Sequence, residues 1–302
     1  MTLSAESFRY VADVVLTRSA IVLEDGKEYL VESRLLPVAR EAGFDDVDEY
    51  VRSVRAAGRQ DDLEAVVDAM TTNVTSWFRD GSPSTALTTH VVPGLVRERG
   101  ALPHLRVWSA ACSTGQEPFS IAMALEDALK AHGTTLEVLA TDLSSRVLAR
   151  ARRGTYSQLE INRGLPVQLL VKHFTRAGME WQITGAPLRQ VRFERHNLLD
   201  EVPAGGPFDV VFLRNALIYF DLPVRQEILR RVRQTLSPDG YLILGSSEST
   251  VGVDDDWARV PVGRGSVYRP VARADRADRS AQVPTQATRT DTPASTLQGA
   301  AR

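Results

Sequence analysis

The chain has 302 residues and 33.2 kDa, with 43% hydrophobic, 25% charged and 7% aromatic residues, which is enough apolar material for a substantial core in about two domains and excludes fibrous and wholly disordered states. Its 36 Lys and Arg against 38 Asp and Glu leave a net charge of -2, with no overall attraction to nucleic acid or an anionic membrane. One cysteine, Cys112, rules out an internal disulfide and a multi-cysteine zinc site, and the 5 histidines show no ligand spacing, so no metal is expected. No apolar run approaches the roughly 18 residues that cross a bilayer, and the start MTLSAESFRY lacks the features of a signal peptide. The expectation is a cytoplasmic protein that does not insert in the membrane.

Residues 1–80 read as helical throughout, with apolar positions three or four apart at Phe8, Val11, Val15 and again at Leu30, Leu35, Val38. They form a predicted helical domain, acidic in balance, with 9 basic and 16 acidic side chains. A linker and connecting helix occupy 81–104. From 105 to 270 the texture changes to short apolar runs alternating with amphipathic stretches, and basic residues now outnumber acidic ones. LRVWSA, LEVLATD, VRFERHN, FDVVFLRN and GYLILGS read as parallel strands, while Ile121 to Lys130 and Val224 to Leu236 read as helices, the second with Val224, Ile228, Val232 and Leu236 on one face. This alternation predicts a doubly wound α/β sheet. LSPDG, ahead of the last strand, reads as a helix stop and a turn. About 154–190 breaks the rhythm and is read as a small inserted subdomain. Residues 271–302 offer too little apolar surface to offset their ordering entropy and are predicted to be a disordered tail.

The loop SAACSTGQE, Ser109 to Glu117, follows the first strand and leads into a helix opened by Pro118. In an open α/β sheet the ligand sits beyond the carboxyl ends of the strands. The loop has one glycine, Gly115, and no lysine, so it carries neither the dinucleotide fingerprint nor a P-loop. Glu117 in the loop and Asp142 at the end of the second strand suit a nucleoside without phosphates, Asp142 accepting from ribose hydroxyls. S-adenosylmethionine is such a ligand, with cationic groups that favour a carboxylate such as Glu117. On position alone, Asp142 could equally cap the next helix. HNLLD (196–200) and LRNALIYF (213–220) each place polar groups directly after an apolar strand.

Five ordered segments, TTNVTSWFRD, WSAACSTGQEPFSIAMAL, ATDLSSRVLARARRGTYS, HNLLD and FLRNALIYFD, resemble the motifs of the CheR-type chemotaxis protein-glutamate O-methyltransferases over roughly residues 7–270. The resemblance implies a Rossmann-like class I methyltransferase domain with a small inserted β-subdomain, preceded by an all-α N-terminal domain. It implies methyl transfer from S-adenosyl-L-methionine, leaving S-adenosyl-L-homocysteine, to glutamates on the cytoplasmic helices of chemoreceptors in sensory adaptation. Cofactor contacts carry over to Asn73, Thr75, Arg79, Glu117, Asp142, Asn197, Leu198, Arg214 and Asn215, with Gly115 in the loop. Trp77 and Phe78 stand where the family usually has two phenylalanines, which puts the packing of the linker on the α/β domain in question.

A glutamate is ionised at neutral pH, so the implied reaction needs alignment and desolvation more than a base. Arg79 and Tyr219 are the candidate catalytic residues. Arg79 could bind the methionine carboxylate or the substrate carboxylate, and its plain alternative is a surface salt bridge. Tyr219 could orient the acceptor or the methyl group, and its plain alternative is a buried structural tyrosine. Cys112 has no base in prospect and reads as a packed small residue. Arg146, Arg150, Arg152 and Arg153 read as a solvated helix face or as a docking patch for glutamate-bearing helices. The competing functions are a non-catalytic S-adenosylmethionine-binding adaptor and a methyltransferase of another substrate. A monomer is expected, with no nucleic-acid partner.

Overall fold

Residues 3–271 are described by a computed structural model; the expected tail lies, from residue 272 on, outside the described residues. Four helices open the chain: α1 (Ala5–Ser19), α2 (Glu28–Glu41), α3 (Val47–Ala57) and α4 (Gln60–Met70). Ser4 and Asp46 cap α1 and α3 by accepting the N–H three residues on, and Gly58 ends α3 in the left-handed conformation. Their apolar stripes, including Phe8, Val15, Leu35, Val51 and Met70, close on one another as a core.

Helix does not continue to residue 80 as the sequence reading expects; it stops at Met70. Thr71 donates its hydroxyl to Asp68 O at 2.7 Å and accepts from Asn73 Nδ2 at 3.0 Å, local bonds that compete with the helix. Arg34 Nη1 donates to Met70 O at 2.5 Å, so the last turn is closed by a side chain. This releases 71–81 as an irregular strap.

Then come α5 (Ser82–Ala86), a π-helical turn over Leu87–Val91, α6 (Val92–Arg99), β1 (His104–Ala110), α7 (Gln116–Ala131), β2 (Thr135–Asp142) and α8 (Ser145–Arg153). The next stretch holds β3 (Thr155–Ser157), α9 (Gln158–Ile161), α10 (Val167–His173), β4 (Phe174–Ala177), β5 (Glu180–Ile183) and α11 (Ala186–Gln190). The remainder is β6 (Val191–Arg195), β7 (Phe208–Leu213), α12 (Leu222–Thr235), β8 (Leu236–Leu244), β9 (Trp257–Val262) and β10 (Gly265–Pro270).

Seven strands form one sheet in the order β6-β2-β1-β7-β8-β10-β9, parallel from β6 to β8, with β10 antiparallel to β8 and to β9. Side chains alternate across it: Val107, Val138 and Phe212 pack with Leu95, Ile121 and Leu125 on one face, while Trp108, Leu139 and Val211 pack with Ile228, Leu229 and Val232 on the other. Helices on both faces over a mostly parallel sheet make a doubly wound, Rossmann-like fold.

Two details depart from the sequence reading. Pro238, Asp239 and Gly240 do not make a turn ahead of the last parallel strand but a bulge within β8: Phe208 faces Leu236, yet Val210 faces Tyr241. Arg99 braces the bulge through Asp239 at 2.6 Å and Asp209 at 2.7 Å. The β9–β10 hairpin, which the sequence reading passed over, extends the sheet at the β8 edge. Its six-residue strands carry Pro261, Arg259 and Arg269, which weaken the apolar alternation by which strands are recognised.

The inserted subdomain is a three-stranded antiparallel sheet, β3-β5-β4. Trp77 of the strap is 1% exposed and stands edge-on to Tyr156 at 4.8 Å and Phe174 at 5.5 Å. Its backbone N–H donates to Arg163 O at 3.1 Å, and Gly164 has no room for a Cβ, which would lie 2.3 Å from Trp77 O. The tryptophan is therefore seated in the subdomain core.

Candidate active site

The chain leaves β1 for β2 and β6 on one side and β7 and β8 on the other, so strand order reverses between β1 and β7. A cleft of about 1060 Å³, counting its open mouth, lies beyond the carboxyl ends of these strands. Its wall is built from the strap, the segments after β1, β2, β6 and β7, and Ser19 and Ile21 at the end of α1. Asn73, Thr75, Arg79, Glu117, Asp142, Asn197, Leu198, Arg214, Asn215 and Tyr219 all line it.

Gly115 does not. It is the N-cap of α7 at φ +93°, with Ala151, Tyr156 and Phe193 within 3.0 to 3.3 Å of where a Cβ would stand. The glycine serves a left-handed turn packed against the subdomain core and stands outside the cleft lining, within a turn of Glu117 and Cys112, which border it.

Asp142 is buried, with Oδ2 accepting Ser113 N–H at 2.8 Å and Oδ1 accepting Ser144 N–H at 3.0 Å. Burial pushes its carboxyl above the usual carboxylate range, against the pull of those two N–H bonds. Each oxygen has a second lone pair, so the carboxylate fixes two loops and keeps acceptor capacity. Glu117 takes Ser109 Oγ at 2.8 Å on Oε1 and Arg214 Nη1 at 2.9 Å on Oε2.

Arg214 is an internal clamp. Its side chain is 4% exposed and bridges Glu117, Asp80 at 2.7 Å and the Arg79 carbonyl at 3.0 Å. Two carboxylates answer one guanidinium, Glu117 from within the cleft lining and Asp80 from outside it. Arg214 Nε is buried with no hydrogen-bond partner among the described residues, a donor the chain itself leaves unsatisfied. Carboxylates at Glu117 and Asp142 beside the unspent donor of Arg214 fit a ligand that carries both a cationic group and a carboxylate.

Asn197 spends its side chain elsewhere: Nδ2 donates to Arg18 O at 2.7 Å and Oδ1 accepts Leu199 N–H at 3.1 Å, latching the end of α1 to the segment after β6. Asn73 offers its carbonyl to Ser113 Oγ at 2.8 Å, which ties the strap to the first loop. Arg79 donates Nη1 to Val74 O at 3.1 Å and makes no ion pair among the described residues, contrary to its plain reading. Tyr219, on the short 3-10 turn Leu217–Tyr219, is half-buried, and its hydroxyl bonds no described residue. That excludes a buried structural tyrosine.

Cys112 also lines the cleft but is 1% exposed, and desolvation pushes its thiol well up, as an inert packed residue requires. The sequence reading missed Ser19, Ile21 and His196. His196, half-buried and edge-on to Trp108 at 5.8 Å, sits in the HNLLD segment already singled out. The α1 contribution carries no signal in the sequence, because only the packing of the helices against the sheet brings it there.

The basic face is divided. Arg150 pairs with Glu160 at 2.7 Å and Arg152 donates to Phe193 O at 2.8 Å, whereas the side chains of Arg146 and Arg153 are exposed and bond no described residue.

The family model described as "CheR methyltransferase, all-alpha domain" matches residues 6–71, and "CheR methyltransferase, SAM binding domain" matches residues 73–264. The chain is 41% identical over 254 residues to chemotaxis protein methyltransferase Cher2 of Pseudomonas putida, covering 82% of this chain and 92% of that protein. It is 37% identical over 274 residues to the chemotaxis protein methyltransferase of Vibrio parahaemolyticus, covering 89% and 98%. The Escherichia coli chemotaxis protein methyltransferase is 36% identical over 260 residues, covering 82% and 86%.

Proposed function

The chain belongs to the CheR methyltransferase family and is an S-adenosylmethionine-dependent methyltransferase of chemotaxis, and from that premise we propose that its acceptors are glutamate side chains on the cytoplasmic helices of chemoreceptors, which become methyl esters. The observation that carries this reading is the convergence, in one cleft at the carboxyl ends of the strands, of two acidic anchors, Asp142 and Glu117, with a phenol that bonds no described residue, Tyr219, and a guanidinium that makes no ion pair among the described residues, Arg79.

When bound, the cofactor supplies a methyl group activated by a sulfonium. Asp142 would hold the ribose hydroxyls, Glu117 the ammonium, and Arg214 Nε or Arg79 the methionyl carboxylate. Leu198 and Asn215 would border the nucleoside, with Asn73 and Thr75 closing the strap over it. Asn197 keeps the wall in place through α1.

The acceptor needs no general base, since a glutamate with a pKa of about 4.3 arrives ionised. What the chain must provide is orientation and exclusion of water. The Tyr219 hydroxyl is free to donate to one acceptor oxygen and aim the other, and Arg79 draws a carboxylate into the cleft from its mouth.

The test is label transfer from methyl-labelled S-adenosylmethionine to receptor-bearing membranes. Base-labile release of methanol is expected. Base-stable label would refute the ester, and no transfer to any receptor would leave a binding adaptor. In the same system Asp142→Ala should weaken S-adenosylhomocysteine binding by roughly 2–4 kcal/mol, measured by calorimetry.

A further inference from the structure

Glu248 lies just past β8 in the run Gly245, Ser246, Ser247, Glu248, and it does not itself line the cleft. Its carboxylate accepts three backbone N–H groups: Oε2 takes Asn215 at 2.6 Å and Gly245 at 2.9 Å, and Oε1 takes Leu217 at 2.9 Å. Two donors belong to the loop after β7 and the third to the end of the adjacent parallel strand. One carboxylate thus ties together the carboxyl ends of two strands.

The loop needs such a tie. Asn215 sits at φ +57°, a left-handed conformation that a residue other than glycine holds only when its surroundings impose it. That turn lets the N–H groups of residues 215 and 217 converge on one anion, as in a backbone nest. Gly245 supplies the space: a Cβ there would lie 2.7 Å from Glu248 Oε2 and 2.9 Å from Asn215 Nδ2. Beyond the tie the chain carries Ile218 and Tyr219 into the cleft wall.

Resting on the role given to Tyr219 above, we infer that Glu248 is a positioning residue for methyl transfer, holding the 214–219 loop in the shape that presents Tyr219 to the acceptor. A glutamine cannot replace it, because its amide group puts a donor against a backbone donor. Leaving a backbone N–H without an acceptor loosens the left-handed turn ahead of Tyr219, while Arg214 stays held by Glu117 and Asp80 and the cofactor anchors on β1, β2 and the strap stay in place, so that Asn215 alone among the cofactor contacts is disturbed.

The experiment compares Glu248→Gln, Gly245→Ala, Tyr219→Phe and the Glu248→Gln/Tyr219→Phe pair, using methyl transfer to receptor-bearing membranes, calorimetric affinity for S-adenosylhomocysteine, and thermal melting. Glu248→Gln should lower kcat at least tenfold with a several-fold smaller loss of cofactor-product affinity, felt through Asn215 alone, and should slow the Tyr219→Phe enzyme by less than threefold more. Gly245→Ala, which crowds the same carboxylate without touching its chemistry, should reproduce the kcat loss and keeps the test open if Glu248→Gln fails to fold. Glu248→Gln at wild-type kcat overturns the inference, as does a loss of rate matched by equal losses in affinity and melting temperature. Tyr219→Phe at wild-type kcat refutes the role of Tyr219, whereas a slow Tyr219→Phe beside a fast Glu248→Gln refutes only the hold of Glu248.

Discussion

Arg214→Met tests the clamp under the cleft. The methionine matches most of the arginine stem, so the loss is electrostatic rather than steric. It deletes the bonds to Glu117 at 2.9 Å and Asp80 at 2.7 Å and the donor to the Arg79 carbonyl. Removing one partner of a buried pair costs roughly 3–5 kcal/mol, because the other charge is left uncompensated. Asp80 is 29% exposed in its side chain and can turn to water, while Glu117 is 14% exposed and cannot, so the lower end applies, about 3 kcal/mol. At roughly 2–4 °C per kcal/mol for a chain of this size, the melting temperature should fall by about 6–12 °C. Adding Glu117→Gln removes the stranded charge and should return about half of the loss, a coupling read from the double-mutant cycle. Urea and thermal unfolding of the four proteins measure it. A loss under about 1 kcal/mol, or no recovery in the double variant, would show that the clamp is a solvated pair rather than a buried one.

Trp77→Ala should destabilise the fold by about 3–5 kcal/mol, seen in urea unfolding, since it empties a site walled by Tyr156 and Phe174; a loss near zero would mean the subdomain core collapses onto the gap. Asp142 must be ionised to accept from the ribose, and burial raises its pKa, so cofactor-product affinity should fall as pH drops through that raised value, at higher pH than the ordinary 3.8 would give. For stability the sign is opposite: a raised carboxyl takes up its proton in the folded state, so Asp142's own contribution improves over the same pH window. Asp142→Asn should flatten the affinity profile in calorimetry, and an unchanged profile would locate the titration elsewhere. Arg146→Glu with Arg153→Glu, the two arginines of the α8 basic face whose side chains bond no described residue, should raise KM for receptor-bearing membranes at low salt and leave cofactor affinity unchanged; equal kinetics would make them a solvated face.

Hydrophobic period was enough to read the helical amino-terminal part and five strands of the sheet, because both are written in local spacing: Phe8, Val11 and Val15 one turn apart, and a run such as that of β7, buried along its whole length. The cleft residues after β1, β2, β6 and β7 were legible for a related reason, since a ligand must face the carboxyl ends of those strands, whereas Asn73, Thr75 and Arg79 of the strap follow a helix and were carried over from the family resemblance alone. Local spacing is silent about partners far apart in the chain. Whether Pro238, Asp239 and Gly240 turn or bulge depends on Arg99 and on the register against β7. Asn197 lines the cleft as expected of a ligand contact, but that Arg18, 179 residues away, takes one of its amide N–H groups is decided only by the fold. That Ala151, Tyr156 and Phe193 pack against Gly115 is decided in the same way. Glu248, unremarkable in sequence, acquires three donors only when β7 and β8 lie side by side. Residue type and period determine which elements form and which side chains can do chemistry; the free valences of those side chains are allotted only by the tertiary contacts that consume the rest.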